Sequence, residues 1–252
     1  MEVFQDYAYY YNSFYKEKDH FTEAKTVDSL LKKHNPQVKN IINFGCGTGK
    51  HDIELVKLGY CCKGIDMSPL MIDIAKENTV VSKSCIEFEA ADIRYYETAS
   101  KYDAVISLFH VISYQNSNQD VLNTFRSARK LLRSGGYFLF DVWYGPGVLS
   151  DKPCVRVKEI EDEENKLIRI ARPFMHDKKN LVDVNYEVLI INKETSMTRV
   201  INEIHSMRYF FKPELEMLLA ESGFRLIENI DCQTLLETDY NSWTSYFIAK
   251  AI

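Results

Sequence analysis

The sequence has no Cys-x-x-Cys pair and no Cys/His spacing of the kind that holds zinc, although it contains six cysteines: Cys46, Cys61, Cys62, Cys85, Cys154 and Cys232. A disulfide framework and a structural metal are disfavoured, and reduced thiols in a cytoplasmic protein are the expectation. No apolar run approaches a membrane span. The N-terminal MEVFQDYAYYYNS is acidic and aromatic, whereas a signal peptide carries basic residues before an aliphatic run. Positive charge is not in excess either: 31 Lys and Arg stand against 36 Asp and Glu, for a net charge of -5. The lysines are interspersed with acids. A protein that grips phosphate backbones needs a basic face, so nucleic acid is disfavoured as substrate. Internal repeats, low-complexity segments and flexible linkers are also missing. What remains, at 252 residues, is one sizeable α/β domain with an insertion, or two small domains.

Residues 19–34 place Phe21, Ala24, Val27, Leu30 and Leu31 on one helical face, and Pro36 ends the pattern. Short apolar runs then alternate with helices. Ile41–Phe44 reads as a buried strand, 49–58 as a helix stopped by Gly59, and Cys61–Ile65 as a strand. Ser68-Pro69 opens a helix as N-cap and first-turn proline. Ile86–Ala90 and Tyr102–Leu108 read as strands, 118–133 as a helix, and Tyr137–Val142 as a strand begun by Gly135-Gly136. About five alternations imply a parallel sheet covered on both faces, with any ligand at the carboxyl ends of its strands. Residues 154–211 break this pattern with four β-rich stretches split by EDEENK, HDKKN and NKETS, which predicts an antiparallel meander. The acidic run Glu161–Glu164 reads as a solvated hairpin tip or a binding patch. A helix from Lys212 to Gly223 and two strands, Arg225–Ile230 and Ser245–Lys250, complete the chain.

The chemistry concentrates at strand ends. NFGCGTGKHD carries Gly45, Cys46, Gly47 and Gly49 between the first strand and a helix, where glycine permits positive φ and close approach of backbone N–H groups to a ligand. The spacing is G-x-G-x-G, one residue shorter than the dinucleotide form. Asp66 follows the first glycine by about twenty residues, the distance at which an acid reaches the hydroxyls of an adenosine ribose. Asp92 stands after the third strand, where its carboxylate would accept from an adenine amino group while the Ile93 N–H faces a ring nitrogen. Together they describe one adenosine-containing ligand.

As a set, INFGCGTG, GIDMS, AADI, YDAVISLFHVISY and LLRSGGYFLFDVW resemble the motifs of the class I S-adenosylmethionine-dependent methyltransferases, in register over residues 40–143. The resemblance implies a Rossmann-like, seven-stranded, mostly parallel sheet with helices on both faces, its last strand antiparallel. The family domain would span 1–153 and 212–252, with 154–211 an inserted antiparallel substrate-binding subdomain. It also implies S-adenosyl-L-methionine as cofactor, S-adenosyl-L-homocysteine as product, and Met67 and Leu108 beside Asp66 and the glycines in the cofactor site. In layout, YYNSFYKEKDHFTEA, GCGTGKH and EIHSMRYFFKPELEMLLAESGF look like nucleotide-sugar N-methyltransferases. That points to a small polar acceptor, such as the amino group of a sugar or sugar nucleotide in surface-polysaccharide or secondary metabolism, and leaves a homodimer open. Asn43 departs from the family, which usually has an acid there; slightly weaker cofactor binding is expected.

Methyl transfer from a sulfonium is an in-line displacement that depends chiefly on holding donor and acceptor in line. A hydroxyl acceptor also needs a base, and His110 and Tyr114 follow the fourth strand where the methyl group should lie. Tyr11 aligns with the tyrosine before the family's lid helix, so the aromatic N-terminus reads as core or as lid. His20, Trp143 and Arg208 are substrate-binding candidates, Arg208 as a partner for a phosphate or carboxylate. His51 reads as a packing residue within reach of substrate, and His205 as a strand residue. The competing readings are an O-methyltransferase using His110, an NAD-dependent dehydrogenase, which the glycine spacing disfavours, and a non-catalytic scaffold. A nucleic-acid amino-group methyltransferase would carry an N-P-P-Y-like motif where this chain reads SLFHVISY.

Overall fold

A computed structural model describes residues 8–79 and 85–252. Its centre is β1 (Asn40–Phe44), flanked by β2 (Cys61–Asp66) and β4 (Tyr102–Ser107), both parallel to it. β3 (Ile86–Ala90) extends one side; β5 (Leu132–Tyr144), β11 (Thr244–Ala251) and β10 (Phe224–Asp231) extend the other. The order β3-β2-β1-β4-β5-β11-β10 is the expected seven-stranded sheet, with β11 antiparallel to both neighbours.

Alternation along these strands feeds two cores, as a sheet buried on both faces requires. Ile41, Ala104, Ile106 and Leu139 face α2 (His20–His34) and α3 (Lys50–Lys57), where Ala24, Val27, Leu31 and Leu55 are fully buried. Ile42, Val105, Phe138 and Phe140 face α5 (Asn118–Leu131) and α7 (Lys212–Glu221) through Val121, Phe125, Leu215 and Leu219. α4 (Pro69–Asn78) begins where the Ser68 side chain accepts from the Met71 N–H at 3.3 Å, the expected cap.

β5 begins five residues earlier than the sequence suggests. The helix stops at Leu131, and Leu132 already pairs with Tyr102; pairing then shifts, to resume at Tyr137 opposite Ala104. Gly135, at φ 73°, absorbs the irregularity. The short α6 (Gly145–Ser150) follows β5 directly. A Cβ on Gly147 would stand 2.1 Å from the Ser242 carbonyl oxygen, a backbone atom that cannot swing aside. Gly147→Ala is therefore expected to cost about 2 kcal/mol of stability, read as a lower urea midpoint; an unchanged midpoint would refute this packing.

Beyond α6, β6 (Arg156–Glu161), β7 (Asn165–His176), β8 (Leu181–Asn192) and β9 (Thr198–Phe210) form an antiparallel meander. The last residues of β9 pair with the end of β5, Trp143 with Tyr209 and Tyr144 with Phe210, so the meander continues the main sheet above its carboxyl edge. The acidic run lies at the exposed β6–β7 hairpin tip. α1 (Ala8–Phe14) packs Phe14 against Leu167, Val188 and Ile201 of the meander. Thr48 in the glycine loop donates to Asn12 Oδ1 at 2.9 Å, so α1 bridges the loop and the meander.

Candidate active site

A cavity of about 340 Å³ opens between the carboxyl ends of β1, β2, β4 and β5 and the inner face of the meander. The glycine loop forms one wall. Gly45, Gly47 and Gly49 all have positive φ, at 73°, 55° and 72°. They serve different purposes. A Cβ on Gly45 would meet Val111, and one on Gly49 would meet Phe88, so these two permit close packing. A Cβ on Gly47, which lines the cavity, would meet no protein atom within 4 Å. The space beside that backbone is free for a ligand.

Asp66 completes this wall. Its Oδ2 accepts from the Gly47 N–H and its Oδ1 from the Ser68 N–H, both at 2.9 Å, which fixes the carboxylate at the cavity edge. Burial raises its pKa above the ordinary value, against the opposing pull of the Ser68 and Gly47 bonds. Cys46 and Leu108 also line the cavity.

Asn43 is fully enclosed, and its amide donates to Asp52 Oδ2 at 2.8 Å on the first turn of α3. An acid at position 43 would face a second carboxylate there, so asparagine fits the site in which it stands. Burial pushes Asp52 up to about 7, the Asn43 bond pulling the other way.

The acceptor side is built on a strained turn. Phe109 and His110 follow β4 with φ of 65° and 68°, a region non-glycine residues enter at a cost of about 1 kcal/mol each. Surrounding contacts hold them there. Asp141 Oδ1 accepts from the His110 N–H at 3.0 Å, and the Lys18 ammonium lies 3.2 Å from the centroid of the Phe109 ring. His110 Nδ1 lies 2.7 Å from Asp141 Oδ2, a close contact without the alignment of a hydrogen bond. Tyr114 donates to or accepts from His205 Nδ1 at 2.8 Å, and His205 Nε2 lies 3.0 Å from Glu203 Oε2. Trp143 stacks edge-on with Trp243 at 4.7 Å.

Of the residues singled out in the sequence, Tyr11, His20, Gly45, Cys46, Gly47, Asp66, Leu108, His110, Tyr114 and Trp143 line this cavity. Gly49, Met67, Asp92, Ile93 and Arg208 do not. Met67 is exposed and Ile93 is in the core. The Asp92 carboxylate is engaged by Arg94, through the backbone N–H at 2.9 Å and through the guanidinium, which also reaches Asp120. Burial raises the Asp92 pKa, but these bonds more than offset it and hold it below the ordinary value. Arg208 alternates with His205 and Met207 along β9 and so points to the other face, where it donates to Asn118 and Glu214.

Arg169 and Tyr186, which the sequence does not single out, line the cavity, as do His205, a strand residue as expected, and Tyr15 of the aromatic N-terminus. The lining residues Arg169, Ala171 and Pro173 on β7, and Val184 and Tyr186 on β8, follow the two-residue period of a strand face; that period finds them once the face is known. His20, Glu23 and His51 bring three ligand-type atoms within 4.8 Å. Lys18 already neutralises that carboxylate at 3.0 Å, and the group reads as a self-contained ion-pair network. Burial, with His51 and Lys18 alongside, lowers His20 to about 4 and so keeps it neutral at physiological pH.

A glycine loop, a ribose-type acid at the next strand end and this strand order are the marks of a class I methyltransferase. Residues 41–136 match the family described as "Methyltransferase domain". The matched stretch is a methyltransferase domain, and the chain is an S-adenosylmethionine-dependent methyltransferase.

Over 223 residues it is 22% identical to the dTDP-3-amino-3,4,6-trideoxy-alpha-D-glucopyranose N,N-dimethyltransferase of Streptomyces venezuelae, covering 88% of this chain and 91% of that one. It is 30% identical over 141 residues to a methyltransferase of Geobacillus sp. (strain WCH70), where the match covers 56% of this chain and little more than half, 57%, of the relative. Its fold is shared by an S-adenosylmethionine-dependent methyltransferase from Clostridium acetobutylicum ATCC 824, with a TM-score of 0.81 at 16% identity over 99% of both chains.

The residues fit the cofactor: Gly47 leaves room beside its backbone, and Asp66 presents a fixed carboxylate within hydrogen-bonding reach of the same space. When bound, S-adenosylmethionine supplies an electrophilic methyl group on a sulfonium. Asp66 would hold the ribose hydroxyls, the backbone around Gly45–Gly47 would bound the aminopropyl end, and Leu108 would line the same wall. Tyr11 of α1 and the inner face of the meander line the same cavity as the glycine loop.

Proposed function

We propose that the enzyme methylates the amino group of a sugar or sugar nucleotide. The carrying observation is the cavity itself, whose lining brings the glycine loop and Asp66 together with the polar and aromatic meander residues Arg169, Tyr186 and His205. A sugar between them would have rings to pack against in Tyr15, Trp143 and Tyr186, and a cation in Arg169. The Streptomyces venezuelae relative, whose name specifies the amino group of a dTDP sugar, aligns with nearly the whole chain, meander included. In this reading Tyr11 is a lid residue over the cofactor. Asp92 would reach adenine only after releasing part of its Arg94 pairing. In this reading the enzyme works in the cytoplasm, where its cysteines stay reduced.

The arrangement of His110 favours a second reading. His110 lines the cavity with its backbone N–H held by Asp141 Oδ1 and the Asp141 carboxylate beside its ring, and a base is what a hydroxyl acceptor needs. His110→Ala separates the two. Amine transfer is expected to persist within about tenfold, because orientation carries most of that reaction. O-methylation through His110 would fall by about 100-fold or more. The assay follows labelled methyl from S-adenosylmethionine into paired acceptors that differ only in carrying an amino or a hydroxyl group. Transfer to the hydroxyl partner alone would overturn the amine reading.

A further inference from the structure

His205 is 2% exposed, yet it is bonded on both ring nitrogens by groups that ionise. Tyr114 Oη lies 2.8 Å from Nδ1 and Glu203 Oε2 lies 3.0 Å from Nε2, in a chain that starts at the cavity and ends inside the meander. Buried polar groups are costly unless each is satisfied, and a hydrophobic filler would hold this junction at lower cost. The chain also joins the turn after β4, where the acceptor must sit, to β9 of the meander. Tyr186 of β8 stands perpendicular to the His205 ring with the ring centroids 4.9 Å apart, and the guanidinium of Arg169, on β7, lies 5.3 Å from the centroid of that tyrosine ring.

We propose that Tyr114, His205 and Glu203 form a proton relay that strips a proton from the acceptor amine before methyl transfer. This rests on the amine reading above. An amino sugar at neutral pH is mainly an ammonium ion, which has no lone pair with which to attack. Tyr114 is the catalytic residue of the relay. Its oxygen takes a proton from the acceptor nitrogen while its own proton passes to His205 Nδ1. The resulting imidazolium is paired with the Glu203 carboxylate, and the tyrosine is left neutral. The freed nitrogen lone pair then forms the N–C bond as the C–S bond breaks, its electrons passing to sulfur. His205 and Glu203 act through Tyr114 and are positioning residues. Neutral His205 must carry its proton on Nε2, directed at Glu203, so that Nδ1 can accept from the tyrosine.

The test is the pH profile of kcat/KM for methylation of dTDP-3-amino-3,4,6-trideoxy-alpha-D-glucopyranose by wild type, Tyr114→Phe and Glu203→Gln. Tyr114→Phe keeps the ring and its packing. It is expected to lose about 100-fold near neutral pH, with cofactor affinity unchanged, and to recover most of that loss at alkaline pH, where free amine is abundant. Glu203→Gln is expected to shift the ascending limb toward higher pH. A loss that is the same at every pH, or no loss, would overturn the relay. If the wild type methylates neither this nor any other amino sugar, free or nucleotide-linked, the amine reading fails and the relay is judged separately, by heteronuclear NMR of the His205 ring nitrogens in the intact protein. A proton on Nε2 with Nδ1 accepting supports the chain, and a proton on Nδ1 overturns it.

Discussion

Replacing Asp66 by alanine is expected to weaken binding of S-adenosylmethionine and S-adenosylhomocysteine by about 100-fold or more, since each charge-assisted bond to a ribose hydroxyl is worth about 1.5–3 kcal/mol. In the proposed site Asp66 would make two such bonds, one to each hydroxyl. The substitution also frees the Gly47 N–H, which Asp66 Oδ2 now anchors at 2.9 Å, so the loop loses a support at the point where it faces the cavity. Calorimetric titration with S-adenosylhomocysteine reads the affinity, and unfolding without ligand shows whether the loop itself has collapsed. Similar affinities for wild type and variant would remove Asp66 from the cofactor site.

The second large effect is on stability. Asp52 is completely buried and is pushed from an ordinary 3.8 up to about 7, chiefly by the loss of water around it. Between those values the folded protein keeps a proton that the unfolded chain has released. The contribution to stability is therefore fully present below about pH 4 and is lost as pH rises through about 7. Its size is on the order of 4 kcal/mol, at about 1.4 kcal/mol per pH unit. Asp52→Asn removes the ionisation but keeps a polar partner for Asn43. The variant is expected to match wild type near about pH 4 and to exceed it above about pH 8 by up to that amount. Carboxyls such as Glu228 and Asp103, whose pKa values lie below the ordinary range, contribute with the opposite sign in both proteins and cancel in the comparison. Urea midpoints that run parallel over this range would contradict the argument.

The pairing of Asn43 with Asp52 shows what spacing along the chain conveys and what it omits. The glycine loop and Asp66 were legible because their chemistry depends on strand-end positions, and the alternation of apolar runs fixes those positions. Asn43 looked like a lost acid. Its partner nine residues later on a helix becomes apparent only when the loop is folded back over β1. Arg208 looked available for a phosphate, but strand alternation turns it away from the cavity and toward Glu214. Asp92 carried a local warning in Arg94, two residues on, close enough for the guanidinium to close on the carboxylate. The meander was legible as strands and turns, but a two-residue period does not say which face meets the cofactor domain. For that reason the sequence does not single out Arg169 and Tyr186, and it gives His205 a strand but no place in the cavity. The strained turn at Phe109 and His110 gave no signal at all, since neither residue favours positive φ and only Asp141, Lys18 and their neighbours hold it.

The central claim is that a methyl group passes from S-adenosylmethionine to the nitrogen of a small amino sugar. The most direct measurement is NMR identification of the product formed from S-adenosylmethionine with an isotopically labelled methyl group and a panel of amino sugars, free and nucleotide-linked, each paired with its hydroxyl counterpart. The expected result is label bonded to a sugar nitrogen; label on oxygen alone, or none on any amino sugar while the cofactor is bound, would contradict it.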